Sequence, residues 1–591
     1  MFEISANNHR ARFDGATPAT DHRIRHWAMR SLMAIGFAAH AMVAGAVVPT
    51  PVVTGPIPGD VPGTSPAHNW PFFATHIVMS DYGYVEQEFF YEGTATRYSS
   101  PTGGAPNNTT TAVVASTGHP YKTRLLVRRP TDPAKFNGIA IVEWVNVTNG
   151  YDVEIHWQES MAYYIREGYA FIGVSVQNAG VSGQGSPLRG LKAWSPTRYG
   201  TLNVNDNGAV GGDLLGYDIF SQAGQAVRNV PSVLGGLPVE RVIAKGESQS
   251  AQRLFVYFNA IHHLDPVFDG AMITHNNNSI RADIPTPPII KLYSENEFRT
   301  SPTIQPDTST VRTWTVAGST HSEYYTMIAR APILLRDHGL QAFDTCATPA
   351  RSRVPFFMVI NAATDHLVKW IRTGVEPPSA PPPEYTGTPL SLARDEHGNG
   401  LGSIRLAEME VPVARNAAVT CGLGGNHEMF ETAKLNALYG SHGSYVSKVS
   451  HATNAAVKAG FLLPEDAEIT KDKAAGSIIG FGLECGYLCI DEDAFPIHPS
   501  SNLLRDQTAA LHFVGSDDLV ETLEGVTRNI ATGYTQGSGA KAKQSFAKAI
   551  AGLRNYIAQV QERQASGHVV TETSTLLIDQ TNTLIKELEA L

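Results

Sequence analysis

The sequence predicts an α/β protein, a mostly parallel sheet flanked by helices, with a small all-helical module at its C-terminus. Three observations predict it. Short, near-continuous apolar runs such as "GIAIVEWVNV", "YAFIGVSVQ" and "VERVIAKG" recur along the chain, as expected of strands covered on both faces. Stretches of helical period separate them, and strands alternating with helices imply parallel pairing. From about residue 515 the composition shifts to Ala, Gln, Lys and Glu with helical spacing.

Residues 1–46 read as a leader. Arg23, Arg25 and Arg30 precede the apolar run "SLMAIGFAAHAMVAGAVVP", and Ala44-Gly45-Ala46 fits a small-x-small cleavage site. The run is too short and too rich in small residues for a stable membrane span, and His40 interrupts it. The basic stretch is long, which makes Met29 an alternative start. The expectation is an exported protein, periplasmic or extracellular.

Residues 47–480 form the predicted main domain, with insertions. Its lead-in, 47–70, is rich in Pro, Gly and Thr and reads as extended. Between about 73 and 130, "TTTAVVAS" and "YKTRLLVRRP" predict antiparallel strands. The strand "GIAIVEWVNV" follows, then the helix "WQESMAYYIREG", the strand "YAFIGVSVQ" and the helix "YDIFSQAGQAVRNV". Next come the strand "VERVIAKG", the helix "SQSAQRLFVYFNAIHHL" and the strands "GAMITH", "PIIKLYSE" and "RTWTVAG". "FFMVINAATDHLVKWIRTG" is an amphipathic helix, "VEPPSAPPPEY" an extended connector, and 391–480 a mixed extension. Residues 481–514 read as a linker. Residues 515–591 read as a helical module with helices in "QSFAKAIAGLRNYIAQVQERQ" and "TLLIDQTNTLIKELEAL", either packed on the main domain or binding a partner.

Composition narrows the function. The 591 residues carry a net charge of −10, which disfavours nucleic acid, and no basic stripe with interleaved aromatics is present. The four cysteines suit an oxidising compartment. Cys485 and Cys489 are close enough in sequence to pair, which would leave Cys346 with Cys421, although four cysteines allow three pairings. No His/Cys cluster has metal-ligand spacing, and no cofactor is called for. The tandem His262-His263 with Asp265 reads as surface rather than metal.

The chemistry centres on "RVIAKGESQSAQRLFVYF". An apolar strand stops at Gly246, Ser248 follows, and a helix begins at once. A sharp strand-to-helix turn lifts a serine hydroxyl out of the sheet, which is the physical content of G-x-S-x-G; here the last glycine is Ser250. The competing reading is a plain helix N-cap. A nucleophilic serine needs a base and the base an orienting acid, in the order Ser, acid, His for α/β hydrolases. Downstream, "PPIIKLYSENEF" ends a strand at Glu295 and Glu297, and "RTWTVAGSTH" ends the next at His321. Parallel strands bring such loops together at their carboxyl edge. Glu297 is favoured over Glu295, and Asp265 and Asp269 rank lower because they lie near the end of the helix after the serine. The Gln249 N–H is the expected oxyanion donor, with a second near Asn146 in "IVEWVNVTNGYD". Trp144, Trp157 and Trp194 line a pocket or, for at least two of them, simply pack the core.

A set of segments in fixed order carries a family resemblance. "VEWVNVTNGYD", "YAFIGVSVQNAGV", "LKAWSPTRYGTL", "YDIFSQAGQAVR", "GESQSAQRL" and "RTWTVAGSTH" are followed by "HLVKWIRTGVEPP", "DEHGNGLGSIRL" with "VPVA", and "LYGSHGSYVSKV…AGFLLPEDA". Over about 50–475 the chain resembles a bacterial family of alpha/beta-hydrolase-domain proteins. The resemblance implies an α/β-hydrolase fold and ester-type hydrolysis, with Ser248 as nucleophile and His321 as base. The family's Thr-Glu-x-Asp segment is here Ser294-Glu295-Asn296-Glu297, which leaves the acid open between the two glutamates. The expectation is an exported serine hydrolase acting on a small-molecule carboxylic ester. An amidase or lactonase with the same triad, or a binding protein on a hydrolase fold, are the alternatives.

Overall fold

Strand period is what builds this molecule. The structure is a computed structural model and describes residues 47–59, 68–185, 188–340, 350–485, 487–489 and 500–591. The predicted leader lies outside the described residues. The main sheet comprises β1 (Val52–Thr54), β2 (Tyr84–Ser99), β3 (Val113–Pro130), β4 (Ile139–Trp144), β5 (Ala170–Val174), β6 (Arg241–Glu247), β7 (Gly270–Thr274), β8 (Ile289–Ser294) and β9 (Val311–Val316). They lie in the order β1-β2-β3-β5-β4-β6-β7-β8-β9. Pairs from β1 to β5 through β2 and β3 are antiparallel. From β5 through β4 to β9 every pair is parallel.

The apolar runs become strands buried on both faces. Along β4, Ala140, Val142 and Trp144 enter one core and Ile139 and Ile141 the other, as a period of two requires. The two strands expected in "TTTAVVAS" and "YKTRLLVRRP" are instead one strand, β3, paired along nearly its whole length with β2. The buried charges of β2 and β3 are paired. Arg124 lies 3.2 Å from Glu88, which Arg198 meets at 2.6 Å, and Arg128 reaches Glu154 and Glu86 at 2.7 Å each. Such groups remain buried only when paired and hydrogen-bonded.

Helices α1 (Ile155–Arg166), α2 (Gly216–Asn229), α3 (Gln249–Val256), α4 (Glu295–Phe298), α5 (Tyr324–His338) and α6 (Phe356–Thr373) join the main sheet. The helix expected to run to Leu264 ends as an α-helix at Val256 and continues as a π turn and a 3-10 turn. The mixed extension holds a ribbon, Ala414–Ala417 with Asn426–Met429, and helices α7 (Thr432–Tyr439), α8 (His442–Ala459) and α9 (Pro464–Gly476).

The C-terminal helices are α10 (Ser501–Ala510), α11 (Ser516–Thr535), α12 (Ala540–Ala565) and α13 (Thr571–Glu589). They share a core of their own, with Leu523, Ile530, Leu553 and Leu577 at its centre. The linker expected over 481–514 is corrected in part. It contains α10, which is largely buried and whose Leu503 packs on Tyr324, Met327 and Ile328 of α5. Cys485 and Cys489 form a disulfide. Cys421 is also disulfide-bonded; its expected partner, Cys346, lies outside the described residues. No described helix is long and apolar enough to cross a membrane.

Candidate active site

The turn between β6 and α3 is tight for identifiable reasons. Ser248 has φ 57° and ψ −112°, a strained conformation for a residue with a Cβ. A Cβ on Gly246 would come within 2.8 Å of Leu254 Cδ1, so only glycine lets α3 fold back this closely on β6. Ser250, standing where the pattern has its last glycine, stitches the turn. The Glu247 N–H donates to Ser250 Oγ (3.0 Å), and Ser250 Oγ donates to the Glu247 carbonyl (2.8 Å). Ser248 occupies the N-cap position, yet its side chain makes no capping bond. Its Oγ lies 2.8 Å from His321 Nε2 instead.

His321 follows β9, and its N–H donates to Asn296 Oδ1 (2.9 Å). Its Nδ1 lies 2.6 Å from Glu297 Oε1. Glu297 is the third residue of α4 and closes a capping box with Ser294. The Ser294 N–H (3.0 Å) and Oγ (2.7 Å) both donate to Glu297 Oε2. Burial by itself raises the Glu297 carboxyl, but His275 and His321 outweigh it and hold the group well below the usual carboxylate range. The three side chains thus stand in one hydrogen-bonded line, Ser248–His321–Glu297.

Glu295 is not in that line. Its carboxylate is fully buried and accepts from the Gly318 N–H (2.8 Å), the Ala418 N–H (3.1 Å) and Arg394 Nη2 (2.5 Å), tying the turn after β9 to the extension. The Gln249 N–H sits at the first turn of α3, where helix amides lack intrahelical partners. Asn146 requires a correction. Its N–H donates to the Val153 carbonyl (3.0 Å), its Nδ2 to the Glu247 carbonyl (3.1 Å), and its Oδ1 accepts the Thr148 N–H (2.9 Å). Its own amide is committed, and it anchors the loop after β4 to the serine turn.

The remaining sequence candidates lie in ordinary structure. His262 Nε2 accepts the Val267 and Phe268 N–H groups, and burial lowers its pKa to about 3. Asp265 accepts the Val48 N–H, and Asp269 pairs with Arg228. Trp144, Trp157 and Trp194 are buried in the core; the indole N–H groups of Trp144 and Trp194 donate to Gln177 Oε1 (2.9 Å) and the Asp337 carbonyl (3.0 Å).

Among the described residues, two side-chain groups bring metal-ligand atoms within 4.8 Å of one another: His275, Glu297 and His321, and Glu159, Glu247 and His275. In the first, Glu297 already bonds both histidines. The second is a buried carboxyl pair below the serine turn. Burial pushes Glu159 up to about 7 and Glu247 well above its usual value, so the pair holds a proton. Sequence reasoning passed over His275, Ser294 and Asn296. The available signal for His275 was its place at the carboxyl end of "GAMITH", on the strand beside the serine strand.

The profile of a family described as alpha/beta hydrolase domain matches residues 53–471. Among solved structures, a serine hydrolase without a lid from Xanthomonas campestris is 10% identical, over 42% of this chain and 93% of that one, with a TM-score of 0.24. Brefeldin A esterase, a bacterial homologue of human hormone sensitive lipase, is 13% identical over 31% of this chain and 39% of that one, with a TM-score of 0.17. An acetyl xylan esterase from Paenibacillus sp. R4 is 12% identical over 32% of this chain and 49% of that one, with a TM-score of 0.18. The chain therefore spans less than half the length of each of these two esterases. No curated protein matches the chain.

Proposed function

The chain belongs to the alpha/beta hydrolase domain family, and from that premise we propose that it is an exported serine hydrolase that cleaves a carboxylic ester through an acyl-enzyme. The observation that carries the reading is the contact of Ser248 Oγ with His321 Nε2 at 2.8 Å, made by a serine whose φ of 57° turns its hydroxyl away from capping. A strained, uncapped serine bonded to an imidazole that is itself bonded to a buried carboxylate is the arrangement that nucleophilic catalysis requires.

In this reading Ser248 Oγ attacks the ester carbonyl carbon while His321 Nε2 takes its proton. Glu297 holds the Nδ1–H tautomer and stabilises the imidazolium. The Gln249 N–H, at the positive end of α3, bonds the oxyanion; the second donor is an amide of the loop after β4 other than that of Asn146. Collapse expels the alkoxide, which His321 protonates as it leaves. Water, deprotonated by His321, then attacks the acyl-serine and releases the acid. Export fits the leader-like N-terminus and the Cys485–Cys489 disulfide, and cell fractionation tests it.

The test is hydrolysis of p-nitrophenyl and naphthyl esters, with fluorophosphonate labelling, by wild type and Ser248→Ala. The variant is expected to lose about 10³-fold or more in kcat, to lose the label, and to keep its Tm. Turnover retained in Ser248→Ala would falsify the mechanism.

A further inference from the structure

His275 takes no part in the steps above, yet its side chain touches two of the groups that do, His321 and Glu297. It follows β7 with φ 56°, and its N–H donates to the Leu292 carbonyl of β8 (2.9 Å), so its backbone is pinned between two strands. The side chain is buried. Its Nδ1 lies 3.2 Å from Glu297 Oε2. One ring face stacks on His321, with centroids 4.7 Å apart and planes at 30°, and the ring also stacks on Phe356 at 4.6 Å and 28°.

We propose that His275 is a positioning residue: its Nδ1–H holds Glu297 Oε2, and its ring backs the imidazole of His321, so that Glu297 Oε1 stays on His321 Nδ1. The inference rests on the serine-hydrolase reading and adds a fourth residue to it. Glutamate has one more rotatable bond than aspartate, so its carboxylate needs more fixing to present one oxygen steadily. Oε1 goes to His321. Oε2 accepts two bonds from Ser294, only three residues away, and one from His275, the donor contributed by a separate strand.

The tautomer follows from the surroundings. An ionised Glu297 can only accept, so His275 carries its proton on Nδ1. Its Nε2 is buried without a hydrogen-bond partner. Burial lowers the pKa of His275 and keeps the ring neutral.

The test compares His275→Phe, which keeps a ring and loses the donor, with His275→Asn, which keeps a donor at the Nδ position and tolerates positive φ. His275→Gly replaces the Phe variant should strain unfold it. The donor-less variant is expected to lose about 10- to 100-fold in kcat with little change in KM, and His275→Asn to recover most of that loss. Wild-type kcat in the donor-less variant, or no recovery in His275→Asn, overturns the proposal. A second readout is independent of turnover: in the Ser248→Ala background, the downfield Nδ1–H resonance of His321 should persist with His275 or Asn and broaden away with Phe or Gly. Unchanged resonances in all four proteins overturn it as well. Failure of the serine mechanism would show separately, as activity surviving in Ser248→Ala.

Discussion

Glu297 sits at the third position of α4, where the capping box turns Oε2 toward Ser294 and leaves Oε1 for His321. Glu295, at the first position, faces Arg394 and two backbone amides instead. The two glutamates therefore predict opposite phenotypes. Glu297→Gln presents an amide N–H or a weaker acceptor to His321 and disturbs its tautomer; kcat should fall about 10⁴-fold with Tm near wild type. Glu295→Gln leaves Arg394 without its carboxylate and should cost about 3 kcal/mol of stability, with the smaller effect on kcat. Urea unfolding and ester kinetics on both variants check this, and a catalytic loss larger in Glu295→Gln than in Glu297→Gln would reverse the assignment. Ser248, His321 and their order with an acid were legible in the sequence, because strand ends announce them. The choice of glutamate was legible only as a preference for Glu297 from its distance past the strand end, since it depends on which way a four-residue helix turns. Asn146 was misjudged because its amide is consumed by a bridge to Val153, a contact that no local pattern reveals. Missing His275 had the same origin: only the stacking of neighbouring loops brings it to Glu297.

Elements of continuous apolar sequence were the most legible, and β4 to β9 follow the runs closely because both faces are covered. Elements whose burial depends on pairing charges or on distant partners were harder to read. The length of β3 is hidden by Thr117-Gly118-His119-Pro120, turn-like residues between the two predicted strands through which β3 runs on. Helix α5 carries Pro332 inside it, and α10 lies in a segment too short to show a period. The seam between the lead-in to β2 and the C-terminal helices makes a pH prediction. His76 Nε2 lies 3.3 Å from the Leu511 carbonyl, and Tyr82 OH donates to the His512 carbonyl. Burial, with each histidine's neighbouring cations adding to it, lowers His76 to about 3 and His512 to about 4. Unfolded, both titrate near 6.5, so between about 4 and 6.5 the unfolded chain binds more protons. Their contribution is intact above about pH 6.5 and is lost as pH falls through that window. Glu159 and Glu323, raised to about 7 and about 8 by burial, act in the opposite sense. The informative quantity is therefore a difference: on acidification from pH 7.5 to 4.5, the Tm of wild type should fall relative to that of His76→Gln, whose Nε2 can still reach Leu511. A pH-independent difference would show that His76 is not buried neutral at this seam.

For the whole molecule, the open question from sequence was whether the C-terminal helices pack or bind elsewhere. Their contacts favour packing. Leu503 of α10 lies against Tyr324, Met327 and Ile328 of α5, His568 Nδ1 meets Asp81 at 2.8 Å, and Lys473 of α9 reaches Asp506 at 3.3 Å. Helix α5 starts three residues after His321, so whatever loosens α5 loosens the loop that carries the imidazole. Deleting residues 500–591 would uncover three large apolar side chains on α5, each worth up to about 1.5–3 kcal/mol when fully exposed. Because α5 also packs against α1, a loss of roughly 2–5 kcal/mol is expected, a large share of the ~5–15 kcal/mol that holds a domain together. The more exposed His568–Asp81 pair is worth little by comparison, and the buried Asp506 of the Lys473 pair is shielded from salt, so salt should not mimic the deletion. The truncated chain should therefore show a lower Tm and a lower kcat while the full chain in 0.5 M salt shows neither. A truncated protein with wild-type Tm and kcat would mean that the helices form an independent module, free to serve another partner.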